Sequence, residues 1–236
     1  MKRAQRIALL GAEGTGKSSL AKALANVMQM RGHSVSTIDE VLREWFQREG
    51  RTPQPHEQMG IAQTQARGVE QVTQGWVISI STPIMTAVYS HMLFNDKSLY
   101  PMALAHQARF DTTLLTGLDL PWLPDGSERH GPMERGQIDT LLRQVLEQAG
   151  IAYRVVYGHG HQRLNNALMA LGLPGEDLEA KLLREQSQFA INEGRTVWQC
   201  NECSDPVCEH KLFTGLMAKR PPFSAPSRPE HPSANP

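Results

Sequence analysis

One glycine-rich stretch near the amino terminus has residue types and a spacing that could do chemistry. Residues 11–18 read GAEGTGKS and match the pattern G-x-x-x-x-G-K-[ST] at every fixed position. The glycines allow a tight turn whose backbone N–H groups point at phosphate oxygens, and a following helix adds the positive end of its dipole. The stretch predicts a phosphate-binding loop, and an ordinary glycine-rich turn is the alternative.

The residue types suggest separate roles within this loop. Lys17 is placed to contact the β- and γ-phosphates of ATP, and we expect its charge to be exposed. The hydroxyl of Ser18 is a candidate ligand of Mg²⁺. The candidate nucleotide-binding residues are Gly11, Glu13, Gly14, Thr15, Gly16, Lys17, Ser18 and Ser19.

A second group of reactive side chains lies near the carboxyl terminus. Three thiols and one imidazole fall close together, at Cys200, Cys203, Cys208 and His210. A tetrahedral structural zinc ion takes ligands of this number and kind, so the spacing predicts a Zn²⁺ site with a structural role. The alternative is a loop with three free thiols and an incidental histidine. Clustered cysteines also fit a reducing compartment.

Composition and charge narrow the classes of protein and partner. The 236 residues are 40% hydrophobic and 20% charged, which fits one α/β domain with an appendage. Lys plus Arg and Asp plus Glu each number 24, and this balance argues against nucleic acid or an anionic membrane as a partner. The first apolar run is too short for a signal peptide, and no run approaches the ~20 apolar residues that span a bilayer. We therefore expect a cytoplasmic protein.

The strands and helices that position these reactive side chains can be predicted from short apolar runs and from apolar residues at helical spacing. Residues 7–10 form an apolar run that ends at Gly11, which predicts a buried strand entering a turn. Similar runs predict further strands at residues 34–38, 76–81, 114–115 and 153–157. Apolar residues at helical spacing predict helices over residues 20–28, 59–72 and 138–146.

This alternation of strands and helices predicts right-handed βαβ units. We expect an α/β P-loop NTPase fold of three layers, with a mostly parallel sheet, over residues 1–173. Residues 174–218 are predicted to form a small helical, zinc-knuckle-like appendage, which is also the candidate contact for a protein partner. Residues 219–236 are predicted to be a disordered tail, because six prolines follow Arg220 among small and polar residues.

Four segments resemble the nicotinamide-riboside-kinase domain of bacterial bifunctional regulators of NAD biosynthesis, and the stand-alone ATPase-like proteins related to it. The resemblance spans roughly residues 5–172. It is carried by residues 11–18, by DEVLREW at 39–45, by LLTGLDLPWLPDG at 114–126, and by VYG at 156–158 with Arg163. The third segment is the most specific, because an Asp-x-Pro-Trp-x-x-Asp-Gly loop after a leucine-rich strand is unusual among nucleotide kinases.

This resemblance implies a small-molecule kinase that transfers the γ-phosphoryl group of ATP to a nicotinamide riboside-like nucleoside. The substrate-binding residues that it implies are Glu40, Arg43, Asp119, Trp122 and Asp125. Arg163 is similar in position to a residue with which such kinases contact the adenine end of ATP.

Several of these side chains follow predicted strands, so we expect them to meet at the carboxyl edge of the sheet. Asp39 or Glu40 is a candidate acceptor for the proton of a substrate hydroxyl, and a solvated acidic pair is the alternative. Trp122 is a candidate for stacking on a substrate ring or, alternatively, a packed loop anchor. Arg129 and Arg135 flank Gly131-Pro132, where a lid could bring a guanidinium onto the transferring phosphoryl group; solvated surface arginines are the alternative. With Lys17, these acids and arginines are the catalytic candidates.

The third strand departs from the resembled family. Residues 77–83 read VISISTP, where that family has a run like V-x-x-D-T-T-P, so Ile80 takes the place of an aspartate. An acid at this strand end normally holds Mg²⁺ directly or through water, and isoleucine has no such ligand. We expect nucleotide binding to persist and phosphoryl transfer to be slow. A catalytically weak nucleotide sensor that signals to a partner is therefore the alternative function.

Overall fold

The computed structural model describes residues 3–121 and 132–177, all of which belong to one compact unit, Met1–Glu185. The strands are β1 (Gln5–Leu10), β2 (Val35–Ile38), β3 (Trp76–Ile80), β4 (Thr112–Thr116) and β5 (Arg154–Val156). The helices are α1 (Lys17–Met30), α2 (Val41–Glu49), α3 (Pro55–Glu70), α4 (Pro83–Phe94), α5 (Tyr100–Gln107), α6 (Pro132–Gln148) and α7 (Gly160–Ala170).

The strands form one parallel sheet in the order β2-β3-β1-β4-β5. Strand β1 lies in the middle, where Leu9 pairs with Ile80 on one side and with Leu114 on the other. Because every pair in the sheet is parallel, the carboxyl ends of all five strands lie at the same edge. The loops that follow the strands therefore share one edge of the sheet, which is where ligands bind in open α/β sheets.

Two apolar clusters cover the two faces of the sheet. Helices α1 and α7 pack on one face, where Leu24 and Leu168 lie with Leu9 and Ile80. The helices α2 to α6 supply the other cluster, which contains Leu10 and Leu115 from the sheet. The predicted three-layer α/β architecture with a parallel sheet is confirmed for the described residues.

Local sequence explains where several helices begin. Gly16 has a φ of 74°, a left-handed conformation that suits glycine, and α1 starts at the next residue. Helix α3 begins with Pro55 at its first position and has a capping box made by Gln54 and Glu57. This helix therefore starts earlier than the predicted 59–72 and ends at Glu70.

The end of the described chain lies against the domain. Arg31 donates hydrogen bonds to Pro174 O at 2.7 Å and to Gly175 O at 2.9 Å, and Glu176 N donates to Asn165 Oδ1 at 2.7 Å. The rest of the predicted appendage and the predicted tail, residues 178–236, are outside the described residues. Within residues 3–121 and 132–177, no helix is both long and apolar enough to cross a bilayer.

Candidate functional site

The glycine-rich loop occupies the turn between β1 and α1. Gly11, Gly14 and Gly16 all have positive φ angles, of 142°, 63° and 74°. A Cβ atom at Gly11 would overlap the Thr116 hydroxyl, so this position also needs glycine for the close approach of β4. The loop therefore has the backbone geometry that a phosphate cradle requires.

Lys17 differs from the sequence-based expectation that its charge would be exposed. Its side chain is buried, with 8% of the residue exposed, and Nζ donates to Gly11 O and Ala12 O, each at 2.8 Å. The ammonium group thus folds back onto the carbonyl oxygens at the start of the loop. A phosphate group in the cradle would exchange these carbonyl acceptors for charged oxygens, which form stronger hydrogen bonds.

Thr116, which the sequence reading did not single out, supports the loop from β4. Its hydroxyl lies 2.7 Å from Thr15 Oγ1 and 3.0 Å from Leu10 O, and Thr15 Oγ1 in turn donates to Ala12 O at 2.7 Å. Thr15 and Thr116 are fully buried. In the sequence, the only signal of this role was the position of a hydroxyl-bearing residue at the end of a leucine-rich strand.

An ion pair links Asp119, in the loop after β4, to Arg163, near the start of α7. Asp119 Oδ1 accepts from Arg163 Nη1 at 3.1 Å, and Oδ2 accepts from Gly158 N at 2.6 Å. Burial alone would raise the pKa of Asp119, but hydrogen bonds from Gly158, from its own backbone and from Arg163 hold that pKa below its usual value. The ionised carboxylate is therefore the favoured form in the folded protein.

The same arginine reaches the phosphate-binding loop. Arg163 is 4% exposed, and its guanidinium also donates to Thr15 O at 2.8 Å and to Gly158 O at 2.7 Å. One side chain thus holds the loop after β1 to the loop after β5. The sequence-predicted contact of Arg163 with adenine stays a prediction.

Arg135, at the start of α6, is buried beside this network. Its Nη1 donates to Leu120 O at 3.0 Å, and a Cβ built on Gly16 would lie 2.9 Å from Leu120 Cδ1. The residue is 7% exposed, and Nε and Nη2 have no hydrogen-bond partner among the described residues. Burial lowers the pKa of this guanidinium from its ordinary value, while the carboxylate of Asp119 acts in the opposite direction. A buried cation with unmet donors is costly, so an anion at this place would stabilise it.

The acidic pair after β2 is fixed through its backbone. Gln65, a buried side chain of α3 that the sequence reading missed, donates to Asp39 O at 3.1 Å and accepts from Val41 N at 2.9 Å. The side chain of Asp39 is exposed and that of Glu40, which precedes α2, is half-buried. Arg43 lies one turn into this helix and is also half-buried. These side chains are at the same edge of the sheet as the glycine-rich loop, as predicted.

The residues present fit a bound magnesium ion only in part. Ser18 is half-buried at the start of α1, where its hydroxyl is a suitable ligand. Ile80 is 4% exposed and belongs to the apolar cluster under α1, and the hydroxyl of Ser79 donates to Ser81 O at 2.6 Å. Across residues 3–121 and 132–177, no group of three or more His, Cys, Asp or Glu side chains could hold a metal ion. The end of β3 therefore offers magnesium no carboxylate.

Several predicted site residues fall outside the described part of the chain. They are Trp122, Asp125, Arg129, Cys200, Cys203, Cys208 and His210. Their roles in substrate binding, catalysis and zinc binding stay predictions.

The fold and the glycine-rich loop together define the class of protein to which this chain belongs. A parallel sheet with a glycine-rich loop between its central strand and the next helix is the architecture of P-loop nucleotide-binding domains. Residues 6–163 match a family model described as an AAA domain, and the chain belongs to this family.

Two solved structures share the fold. One is described as NadR protein in complex with NR; it has a TM-score of 0.60 and 20% identity, and the match covers 74% of this chain and 53% of that one. The other, NadR protein in complex with NAD and AMP-PNP, has a TM-score of 0.58 and 18% identity, with 74% and 52% covered. This chain thus spans about half the length of the NadR chains. No curated protein matches it.

Proposed function

We propose that this domain binds ATP through residues 11–18 and transfers its γ-phosphoryl group to the hydroxyl of a nucleoside-like small molecule. The buried guanidinium of Arg135 is the observation that carries the proposal. Its Nε and Nη2 have no hydrogen-bond partner within residues 3–121 and 132–177, and it bonds to Leu120 O, whose side chain packs close to Gly16 of the phosphate-binding loop. Lys17 and Arg135 would then contact the phosphates together. Such preorganised cations stabilise charge on a transferring phosphoryl group.

The transfer is an in-line displacement at phosphorus. The hydroxyl oxygen of the acceptor forms a bond to the γ-phosphorus while the bond from that phosphorus to the β–γ bridging oxygen breaks, and ADP leaves with the bonding electrons. The hydroxyl proton passes to the carboxylate of Asp39 or Glu40, which lie at the end of β2. No step is assigned to magnesium, since the end of β3 offers it no carboxylate.

The first acceptor to test is nicotinamide riboside. The resemblance of four sequence segments and the shared fold of NadR in complex with NR both support this choice. A small-molecule partner fits a site at the sheet edge better than a macromolecule does, because the chain has a formal net charge of zero.

A variant of Arg135 tests the proposal. We expect Arg135→Met to lower the rate of ADP release with ATP and nicotinamide riboside by about 100-fold, the loss seen when one preorganised donor is removed. Without ligand, the variant should be at least as stable as the wild type, because it removes a buried cation whose Nε and Nη2 have no partner among the described residues. Arg143→Met is the matched control, since Arg143 lies on the same helix and pairs with Asp139 at 2.7 Å. Equal turnover by the wild type and Arg135→Met would contradict the assigned role.

The second candidate function is a nucleotide sensor without significant turnover, and Ile80 at the end of β3 is the observation that favours it. The two functions differ in one assay. A kinase releases ADP at a rate that depends on the acceptor, whereas a sensor binds ATP with no acceptor-dependent release. In the sensor, the signal would pass to a protein partner, for which the predicted appendage is the candidate contact.

A further inference from the structure

The side chain of Gln65 is buried beside the ends of β2 and β3. This residue belongs to α3 and is 2% exposed. The two strands are neighbours, with Ile38 paired to Ser79, so the loops that follow them lie side by side at the carboxyl edge of the sheet. Glutamine is mostly exposed in proteins, and a buried amide is costly unless its donors and its acceptor are paired. The partners of Gln65 therefore indicate what this side chain holds in place.

The partners of Gln65 allow its amide only one orientation. Oε1 accepts from Val41 N at 2.9 Å, while Nε2 donates to Asp39 O at 3.1 Å and to Ser79 Oγ at 3.2 Å. A backbone N–H can only donate and a backbone carbonyl can only accept, so a reversed amide would lose both backbone bonds. The side chain thus ties α3 to the loop after β2 and to β3.

Two of these hydrogen bonds lie on either side of Glu40. Asp39 O belongs to the peptide before Glu40, and Val41 N belongs to the peptide after it. Glu40 O also accepts from Arg43 N at 3.0 Å and from Glu44 N at 3.1 Å. Both peptide planes next to the Cα of Glu40 are therefore held, which fixes the direction in which its side chain leaves the backbone. That side chain is half-buried, whereas the side chain of Asp39 is exposed.

The end of β3 holds Gln65 in turn. The hydroxyl of Ser79 is fully buried, and it accepts from Gln65 and donates to Ser81 O at 2.6 Å. Ser81 is 3% exposed and has a φ of 86°, which few residues other than glycine adopt, and its N–H donates to Leu9 O at 3.0 Å. Strained residues of this kind persist only where the surrounding structure holds them, and they are frequent at functional sites.

We infer that Gln65 is a positioning residue for phosphoryl transfer, which holds the backbone of Glu40 and thereby the place of a proton-accepting carboxylate. The inference rests on the proposed function, in which Asp39 or Glu40 receives the proton of the acceptor hydroxyl. A displacement of about 1 Å at a reacting group can lower a rate about 100-fold. Loss of the amide should therefore slow turnover and leave ATP binding in residues 11–18 unchanged.

Gln65→Met tests this role, because it removes the amide and keeps a side chain of similar length. With ATP and nicotinamide riboside we expect kcat to fall about 10- to 100-fold, while the Kd for ATP in isothermal titration stays that of the wild type. The stoichiometry of the titration gives the folded fraction, so kcat is expressed per folded molecule. Gln58→Met is the matched control, since Gln58 also lies on α3, is 1% exposed and donates to Pro53 O at 3.2 Å. This control should keep the kcat of the wild type.

Gln65→Glu adds a pH test and keeps the shape of the side chain, so it also serves if Gln65→Met does not fold. A protonated carboxyl group can accept from Val41 N and donate to Asp39 O, whereas an ionised one can only accept. Because burial raises the pKa of a carboxyl group, the kcat of the variant relative to the wild type should rise as the pH is lowered from about 8 to about 6. The ratio removes the titration of Asp39 and Glu40 that the two proteins share.

The outcomes separate the role of Gln65 from the proposed function. If Gln65→Met keeps the kcat of the wild type, or if the ratio for Gln65→Glu does not change with pH, the positioning role is wrong and the proposed function stands. If the affinity for ATP falls as far as kcat does in a folded variant, Gln65 acts on the phosphate-binding loop and the inference is overturned. If the wild type shows no ADP release that depends on nicotinamide riboside, the proposed function fails and the role of Gln65 fails with it.

Discussion

At the scale of single residues, the glycine-rich loop could be predicted from the sequence, because its geometry depends on residue type. Only glycine readily adopts the positive φ angles of Gly11, Gly14 and Gly16, so a fixed spacing of glycines reports a fixed backbone. The residues that support the site from other elements could not be predicted in this way. Thr116 contacts the glycine-rich loop, Gln65 holds the backbone beside the acidic pair after β2, and both act on residues that are distant in the chain.

Gly11→Ala tests whether the loop needs glycine for close packing. The new Cβ would overlap the Thr116 hydroxyl at a φ of 142°, so we expect the free energy of unfolding to fall by about 2–4 kcal/mol. Urea denaturation would measure it. Gly60→Ala in α3 is the matched control, because nothing lies within 4 Å of its Cβ position. That change should raise stability by about 0.5–1 kcal/mol. Equal effects of the two substitutions would contradict the packing argument.

Ile80→Asp tests whether the end of β3 can accept a magnesium ligand. Ile80 is 4% exposed among apolar side chains, so we expect the carboxylate to lower the free energy of unfolding by about 3 kcal/mol or more. Ile80→Asn, which introduces a neutral polar side chain, should lower the free energy of unfolding by less. Urea denaturation with and without ATP and MgCl₂ would measure the difference. If Mg²⁺ with ATP restores Ile80→Asp to the stability of the wild type, the aspartate side chain reaches the ion. The apolar surroundings of residue 80 then do not prevent metal binding.

At the scale of secondary structure, the strands were more predictable than the helices between them. Short apolar runs marked all five strands of the described residues to within a few residues. Helix α4 has no amphipathic pattern, because its first eight residues are all buried between neighbouring elements. The strand order, with β3 between β1 and β2, depends on tertiary packing and not on any local pattern.

The Asp119–Arg163 pair, which joins the loop after β4 to α7, predicts a pH dependence of stability. The folded-state pKa of Asp119 is lowered. The stability that its ionised carboxylate contributes is therefore present above the ordinary carboxyl pKa of about 3.9, and it is lost as the pH falls through the folded-state pKa. We expect Asp119→Asn to be about 1 kcal/mol less stable than the wild type at pH 7.

The same comparison at low pH tests the direction of this pH dependence. As the pH falls below about 4, the difference between Asp119→Asn and the wild type in urea denaturation should shrink, because the wild-type carboxyl becomes neutral. Glu70→Gln is a matched control, since Glu70 forms an exposed pair with Arg109 at 2.6 Å and should contribute little at either pH. A difference for Asp119→Asn that stays constant with pH would contradict the assigned role of its charge.

At the scale of the whole molecule, the described residues form a P-loop domain in which Lys17, Asp39 and Asp119 follow strands at one edge of the sheet. The predicted alternation of strands and helices anticipated this placement, because parallel strands put their following loops at the same edge. The burial of Lys17 and Arg135 was not anticipated, since both side chains are polar and their burial depends on tertiary contacts. The predicted zinc site lies beyond the described residues and stays a prediction.

Titration of ATP into the wild type and Lys17→Ala tests the central claim, that residues 11–18 hold the phosphates of a nucleotide. We expect the variant to lose affinity by about 100-fold, because a charge-assisted contact to phosphate is removed from a buried site. Lys22→Ala, the same change at an exposed lysine of α1, should bind like the wild type. Circular dichroism must show both variants folded. Unchanged ATP affinity in a folded Lys17→Ala protein would contradict the account.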